Sequence, residues 1–331
     1  MAKNAGMKAI AKEEKRLEKE RKRRIELANK MLIPVSKKTM ETLGLISFDP
    51  NGVFRMVGNR WMKVFCVTGD VEKLASIATN IQGRIRVIWH HVEECGRVTC
   101  HLILSETGEI YEEVRQLMSK DEESMKEAVN LTPLTVDEVM NQIGEEFGQS
   151  IRFSYASYVR GNKDWKKECF FEVQEEVNKF SVGRLYGEAF SVLAYPPKLS
   201  SGFADGLKTL GCQMYVCLDM NSLTTSEQVD FNRALEKRYN RRLMVLEEED
   251  YLNASYSIVI LCDSDDARGI LEKAVISLAN AHDILLSSSF YEQKKVAESA
   301  FGLGLFESQI MRNVKVDVVK SLIGGDSDAD A

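Results

Sequence analysis

Apolar and polar side chains alternate with a period of two in several short runs, and with a period near 3.6 between them. Two of the period-two runs form a pair. From Gly58 the chain reads G-N-R-W-M-K-V-F-C-V-T-G-D, and from Gly183 it reads G-R-L-Y-G-E-A-F-S-V-L-A-Y-P. Counted from each glycine, an aromatic stands at the third place (Trp61, Tyr186) and a charge at the fifth (Lys63, Glu188). Phe follows at the seventh (Phe65, Phe190) and Val at the ninth (Val67, Val192). Odd places share one face of a strand, so the matched side chains line one surface. A helical segment and another apolar strand follow in both copies, which predicts a duplicated unit.

Punctuation sets the remaining elements. A polar helix runs to about Met31, where Pro34 stops it. Asp49-Pro50-Asn51-Gly52 is a turn signal, with strands at 53–56 and 61–67 joined through Gly58-Asn59. Asp70 is placed to cap a helix whose face is Leu74, Ile77, Ala78 and Ile81, stopped by Gly83. Residues 84–92 and 97–104 read as a hairpin turning at Cys95-Gly96. A helix over 109–118 follows, then a polar stretch over 119–133, then a helix opened by the capping box Thr135-Val-Asp-Glu. In the second part, strands are expected at 180–195, 213–218, 257–262 and 284–286. Helices are expected from Ser200 or Ser201 to Leu210, over 226–239, from Asp265 to about 281, and over 292–301.

This order predicts an α+β fold. Two related ferredoxin-like α/β sandwich units with mostly antiparallel sheets are expected at 36–150 and 151–320. A basic helical arm (1–35) precedes them, and an acidic tail over 321–331 is disordered by composition.

Composition changes this picture at one place. The 331 residues are 44% hydrophobic and 28% charged, as in ordinary globular chains. No apolar run approaches the roughly 20 residues that span a bilayer, and no signal-peptide core opens the chain. The seven cysteines (66, 95, 100, 169, 212, 217 and 262) are scattered and odd in number, which fits reduced thiols in a cytosolic protein. Net charge is −6, but residues 1–38 carry 13 Lys/Arg against 5 Asp/Glu, leaving the remainder strongly acidic. The arm's candidate contacts are Arg16, Lys19, Arg21, Lys22, Arg23 and Arg24. They suit nucleic acid or an acidic partner; equally, Glu18/Lys22 and Glu20/Arg24 suit a solvated, salt-bridged helix. A thin apolar stripe (Met7, Ile10, Leu17) without Trp or Phe disfavours a membrane-surface helix.

Chemical motifs are sparse. His90, His91, Cys95, Cys100 and His101 lie close in sequence, but a two-residue turn puts His90 opposite His101 and His91 opposite Cys100. Each face then holds two ligands where tetrahedral zinc wants three or four. No metal or cofactor is therefore expected. Asp263, Asp265 and Asp266 sit where a strand passes into a helix and read as caps. The run Glu247 to Asp250 reads as charged surface. No phosphate loop, dinucleotide fingerprint or nucleophile elbow occurs, and no enzyme is expected.

Several stretches together resemble a known family. They are Lys37-Lys-Thr-Met-Glu-Thr-Leu-Gly-Leu-Ile, Asp49-Pro-Asn-Gly-Val, Gly58-Asn-Arg-Trp-Met-Lys-Val-Phe, Tyr195-Pro196, and Tyr291-Glu-Gln293 through Phe301-Gly-Leu-Gly304. Over about 35–310 the chain is similar to the VirB/TrbE/CagE-type conjugation ATPases of type IV secretion, in their Gram-positive version. Gly302 and Leu303 depart from the family's "LPLG" turn. In that family a RecA-like ATPase follows this region, and none follows here. The resemblance thus implies the N-terminal assembly domain alone. It would be a non-catalytic component of a conjugative transfer machine that binds a separate ATPase or membrane channel subunits. Its implied place is cytoplasmic, at the inner face of the membrane. The alternative is a nucleic-acid-binding accessory protein that contacts DNA through the basic arm.

Overall fold

The computed structural model describes residues 2–30, 32–35, 37, 44–92, 97–146, 152–161, 173–200, 202–239, 250–302 and 311–324. The arm is helix α1 (Ala2–Ala28), which ends three residues before the expected stop. Ile33–Pro34 forms a short edge strand, β1, on β2 (Leu45–Phe48). An edge is where a residue without an N–H is tolerated.

The first half then runs β3 (Val53–Met56), β4 (Arg60–Thr68), α2 (Lys73–Ala78), β5 (Arg84–Val92), β6 (Arg97–Thr107), α3 (Tyr111–Lys126), β7 (Asn130–Pro133) and α4 (Val136–Glu146). A short helix α5 (Tyr155–Val159) leads to β8 (Gln174–Glu175) and β9 (Phe180–Val182). The second half runs β10 (Leu185–Ala194), α6 (Gly202–Lys208), β11 (Gln213–Ser222), α7 (Thr225–Tyr239), β12 (Tyr251–Cys262), α8 (Asp265–Ala281), β13 (Leu285–Ser288) and α9 (Gln293–Phe301). Strand β14 (Arg312–Lys315) and helix α10 (Val316–Ile323) follow.

Among the described residues, all strands belong to one 14-stranded sheet in the order β1-β2-β3-β4-β6-β5-β11-β12-β10-β9-β8, with β7 on β4, β13 on β10 and β14 on β12. Every pairing is antiparallel. This corrects the expectation of two ferredoxin-like sandwiches, each with its own sheet. The strands that would have been the inner edges, β5 and β11, hydrogen-bond to each other from Ile85↔Met220 to His91↔Met214. Pairing two edges satisfies a row of backbone groups on each, and it joins the halves into one layer.

The paired repeats occupy matching places in that sheet. Strand order β3-β4-β6-β5 on one side mirrors β9-β10-β12-β11 on the other. Gly58 and Gly183 open the two hairpin strands with φ of 82° and 60°, a left-handed turn conformation that glycine adopts without steric cost. Phe65 faces Leu102, which belongs to the residue row facing Val87; Phe190 faces Ile258, which faces Val216. By this matching Ile88 corresponds to Cys217, and these two stand opposite each other at the seam. The halves are therefore related by an approximate two-fold axis through that pair.

Helices cover both faces, where a two-layer sandwich was expected. One core joins Trp61, Phe65, Phe190 and Val192 to α2, α3, α6, α8 and α10. The other joins Met62, Val64, Ala189 and Val259 to α4, α5 and α9. Strands β11 and β12 are buried on both sides, with Asp219, Ser255 and Ser257 as polar members of one face.

Local signals account for several helix ends and fail at others. Thr135 and Glu138 form the expected capping box (2.8 and 3.3 Å), and Thr224 and Glu227 form a second at the head of α7. Helix α8 is capped by Ser264, whose Oγ accepts from the Ala267 N–H at 3.2 Å, where Asp265 was expected. Helix α2 starts past Asp70, which instead pairs with Lys73 at 3.3 Å. The polar stretch after residue 118 continues α3 for two more turns, because Asp121, Glu122 and Met125 are buried there.

Candidate functional site

The seam carries a buried polar cluster on the second face. Arg86↔Asp219 lies on one side of the Ile88/Cys217 pair, and His90↔Tyr215 on the other. The Arg86 guanidinium grips Asp219 with two bonds, Nε to Oδ1 at 2.7 Å and Nη2 to Oδ2 at 3.0 Å. Arg84 Nε donates to the same Oδ1 at 3.1 Å. Arg86 Nη1 also donates to Ser299 on α9. Arg86 and Asp219 are buried, so this forked, charge-assisted pair is shielded from solvent.

Across the axis the chemistry differs. The His90 and Tyr215 rings stack at 4.1 Å. The Tyr215 hydroxyl donates to Glu146 at the end of α4, and His90 Nδ1 lies 3.3 Å from the same carboxylate. Burial, then the Glu146 charge, raises the Tyr215 phenol well above its ordinary range. Burial pushes the nearby His101 imidazole down to about 4, with Glu146 opposing and His90 reinforcing the shift. Burial pushes the Cys217 thiol up to about 12, which makes it a poor nucleophile. The cluster thus fixes the halves to each other. Glu146 reaches from a first-half helix to a second-half strand, and Ser299 reaches from a second-half helix to a first-half strand.

The histidine–cysteine grouping is spread out by its register. His90 faces Thr99, His91 faces Val98, and His101 faces Ile88, a shift of two residues from the expected hairpin pairing. Cys95 lies outside the described residues. Among those described, no group of three or more His, Cys, Asp or Glu side chains could hold a metal ion. Asp265 is engaged by Arg268 (2.7 Å) and Lys179 (2.9 Å), both of which lower its pKa. The run 247–249 lies outside the described residues, as do most of the tail and residues 303–310.

The basic arm is exposed along its described side chains, from Lys12 to Leu27, with Ile25 partly covered. Arg21 is tied to the body through Glu109 at 2.5 Å. Asn29 holds the same corner, donating to the Glu109 carbonyl and accepting from the Tyr111 N–H, each at 3.1 Å. Lys22 pairs with Glu18 at 2.6 Å and Arg16 with Glu13 at 2.6 Å. Arg16, Lys19 and Arg23 point away from Arg21, while Arg24 lies on its flank, by the roughly 100° turn of each helical residue.

Sequence reasoning missed two buried charge systems. Lys63 on β4 binds Glu122 on α3 at 2.5 Å, and Lys126 binds the same carboxylate at 2.7 Å. Glu188 on β10 is bound by Arg268 on α8, which also holds Glu272 at 3.1 Å. The signal was the charge at the fifth place of each repeat, on a face otherwise apolar. A further acid, Glu106, is buried near Asp121 of α3, and burial, then that neighbouring acid, pushes Glu106 up to about 8. An open groove of about 450 Å³ is rimmed by Lys198, Lys315 and Lys320 but also by Asp250 and Asp317, so it has no single-sign field.

No protein-family model matches the chain, and no curated protein matches it. Among solved structures it is similar to 6-hydroxy-D-nicotine oxidase from Arthrobacter nicotinovorans, at 10% identity and a TM-score of 0.27. That alignment covers 76% of this chain and 52% of the oxidase, so the chain spans about half of the oxidase's length. A likeness of that size carries no argument about fold or activity.

Proposed function

We propose that the chain is a non-catalytic assembly component of a conjugative transfer or type IV secretion machine. It would dock on a separately encoded ATPase or on channel subunits at the cytoplasmic face of the membrane. The observation that carries this reading is where the family-like stretches lie. Asp49 accepts from the Asn51 and Val53 N–H groups at 2.9 and 2.8 Å and from the Tyr111 hydroxyl, fixing the first hairpin. Gly52, with φ of 82°, lets that turn press against the Leu134 carbonyl. Gln293 is fully buried and pairs with Ala189 as a strand would, accepting its N–H at 2.7 Å and donating to its carbonyl at 3.0 Å. The residues that support the resemblance therefore hold the scaffold. They fit a protein whose work is done by its surface.

Among the described residues, no helix is long and apolar enough to cross a membrane, so docking at a membrane would be peripheral. The test is co-purification of the tagged full chain with the transfer-apparatus proteins encoded beside it. Recovery of an ATPase or channel subunit at stoichiometric yield is expected. Recovery of none of them would end this reading.

A further inference from the structure

The described part of α1 carries a ridge of one charge sign. Lys12, Arg16, Lys19 and Arg23 recur at intervals of four, three and four residues. At about 100° per residue they all fall within roughly 40° of the line directly opposite Arg21. Arg21 is the side chain that faces the body, through Glu109. The ridge therefore points outward and runs for about 16 Å at 1.5 Å per residue. Arg16 has Glu13 beside it, and Lys12, Lys19 and Arg23 have no acidic partner among the described residues. Glu26 closes the ridge one turn after Arg23.

From this geometry we infer that α1 docks along the phosphate backbone of a nucleic acid, independently of sequence. This inference does not rest on the assembly reading. Three features favour phosphates over other anions. A bilayer surface wants a broad apolar face, whereas Leu17, 55% exposed, lies off the ridge. An acidic helical partner wants an apolar seam between the charges, and the ridge has none. A line of exposed cations with no aromatic or amide readers matches contacts that position a protein on a backbone without reading bases. The ridge also separates roles that the sequence had pooled. Lys12 joins the contacts, whereas Arg21 is an anchor and Lys22 is neutralised by Glu18 at 2.6 Å.

The experiment is fluorescence anisotropy of the full chain with a labelled duplex of arbitrary sequence, titrated between about 50 and 200 mM salt. Four phosphate contacts predict a log–log slope no steeper than about −3.6, and a fall in affinity of about 100-fold over that range. The variant Lys12→Gln/Arg16→Gln/Lys19→Gln/Arg23→Gln is expected to lose the salt-dependent binding. Lys19→Gln alone should flatten the slope by about 0.9. Arg21→Gln should bind within about twofold of the parent. The helix faces solvent, so circular dichroism of each variant should match the parent. Unchanged binding by the quadruple variant overturns the inference, as does an Arg21→Gln loss as large as the quadruple one. So does binding to phosphatidylglycerol vesicles with none to the duplex, or ridge-dependent capture of an acidic protein with none to the duplex.

Discussion

The two halves secure their long first-face helices by the same device with the signs exchanged. In the first half the strand supplies the cation, Lys63, and the helix supplies Glu122. In the second the strand supplies the acid, Glu188, and the helix supplies Arg268. What the repeat preserves at its fifth place is a buried charge that must be met from the helix above. Which sign it bears is free, because the pair varies together. The halves differ in reserve as well. Glu122 has two lysines, whereas Arg268 faces Glu188, Asp265 and Glu272, of which Asp265 also has Lys179. Losing the first pair's cation leaves a substitute on Glu122, but losing the second's takes from Glu188 and Glu272 the cation they share, and Lys179 stays on Asp265.

That contrast gives the largest expected effect. Arg268→Met should destabilise the protein by about 3–5 kcal/mol, the range for stripping the partner from a buried charge. Lys63→Met should cost clearly less, since Lys126 remains on Glu122. Urea midpoints of the two variants check the order, and equal losses would break the comparison. Next, Gln293→Leu removes both bonds to Ala189 and should cost about 1–3 kcal/mol, from the Ala189 N–H left unpaired inside, while the Ala189 carbonyl keeps the Ser289 N–H at 2.8 Å. Among the described residues its counterpart helix α4 makes no such bond to β4, and the loss is expected in the hydrogen-exchange protection of β10 and β13.

The pH dependence is smaller and also falls unevenly. His101 is held neutral to about 4, so the unfolded chain binds more protons below the ordinary histidine pKa of about 6.5. Stability from this residue is complete above that value and is lost as pH falls through about 4. Glu106 is held protonated to about 8, so its contribution is complete below the ordinary glutamate pKa of about 4.3 and is lost as pH rises through about 8. Glu106→Gln keeps a donor towards Asp121 at every pH and should flatten the alkaline side, read from urea midpoints between pH 6 and 9. An unaltered alkaline slope would show that Glu106 is not held protonated in the folded protein. The smallest effect is expected of Glu109→Gln. It removes an exposed ion pair worth under about 1 kcal/mol, and should appear as faster proteolysis near residue 30 with the unfolding midpoint unmoved.

Much of the strand inventory was legible, because Gly58, Gly183 and the alternation after them follow from turn chemistry and the two-residue period. Helix α3 was read short because Asp121 and Glu122 interrupt the apolar face they belong to. Strand β7 was missed because Asn130, Thr132 and Pro133 make a poor strand, tolerable only beside β4 at a position that needs few ladder bonds. The hairpin register was misread because Cys95-Gly96 resembles a two-residue turn while the pairing closes at Val92↔Arg97. The single sheet was not legible at all. Edge strands β5 and β11 look alike whether they meet solvent or each other, and a one-chain pattern does not state which edges pair. Of the seam residues, the histidines were noticed for metal binding. Arg86 and Asp219 were polar breaks in apolar runs whose partner lay 133 residues away.

The antiparallel register at Ile88↔Cys217 has an evolutionary and practical corollary. An interface built on an approximate two-fold axis has the geometry of an isologous one: each side offers the same strand edge in the same register, although the Arg86–Asp219 grip needs both halves. A lone half would carry that adhesive edge uncovered, free to join a copy of itself or to grow into aggregates. Covalent linkage sets the local concentration of the correct mate far above that of any stranger. The arrangement has the geometry of a homodimer sealed inside one polypeptide, with different side chains on its two sides.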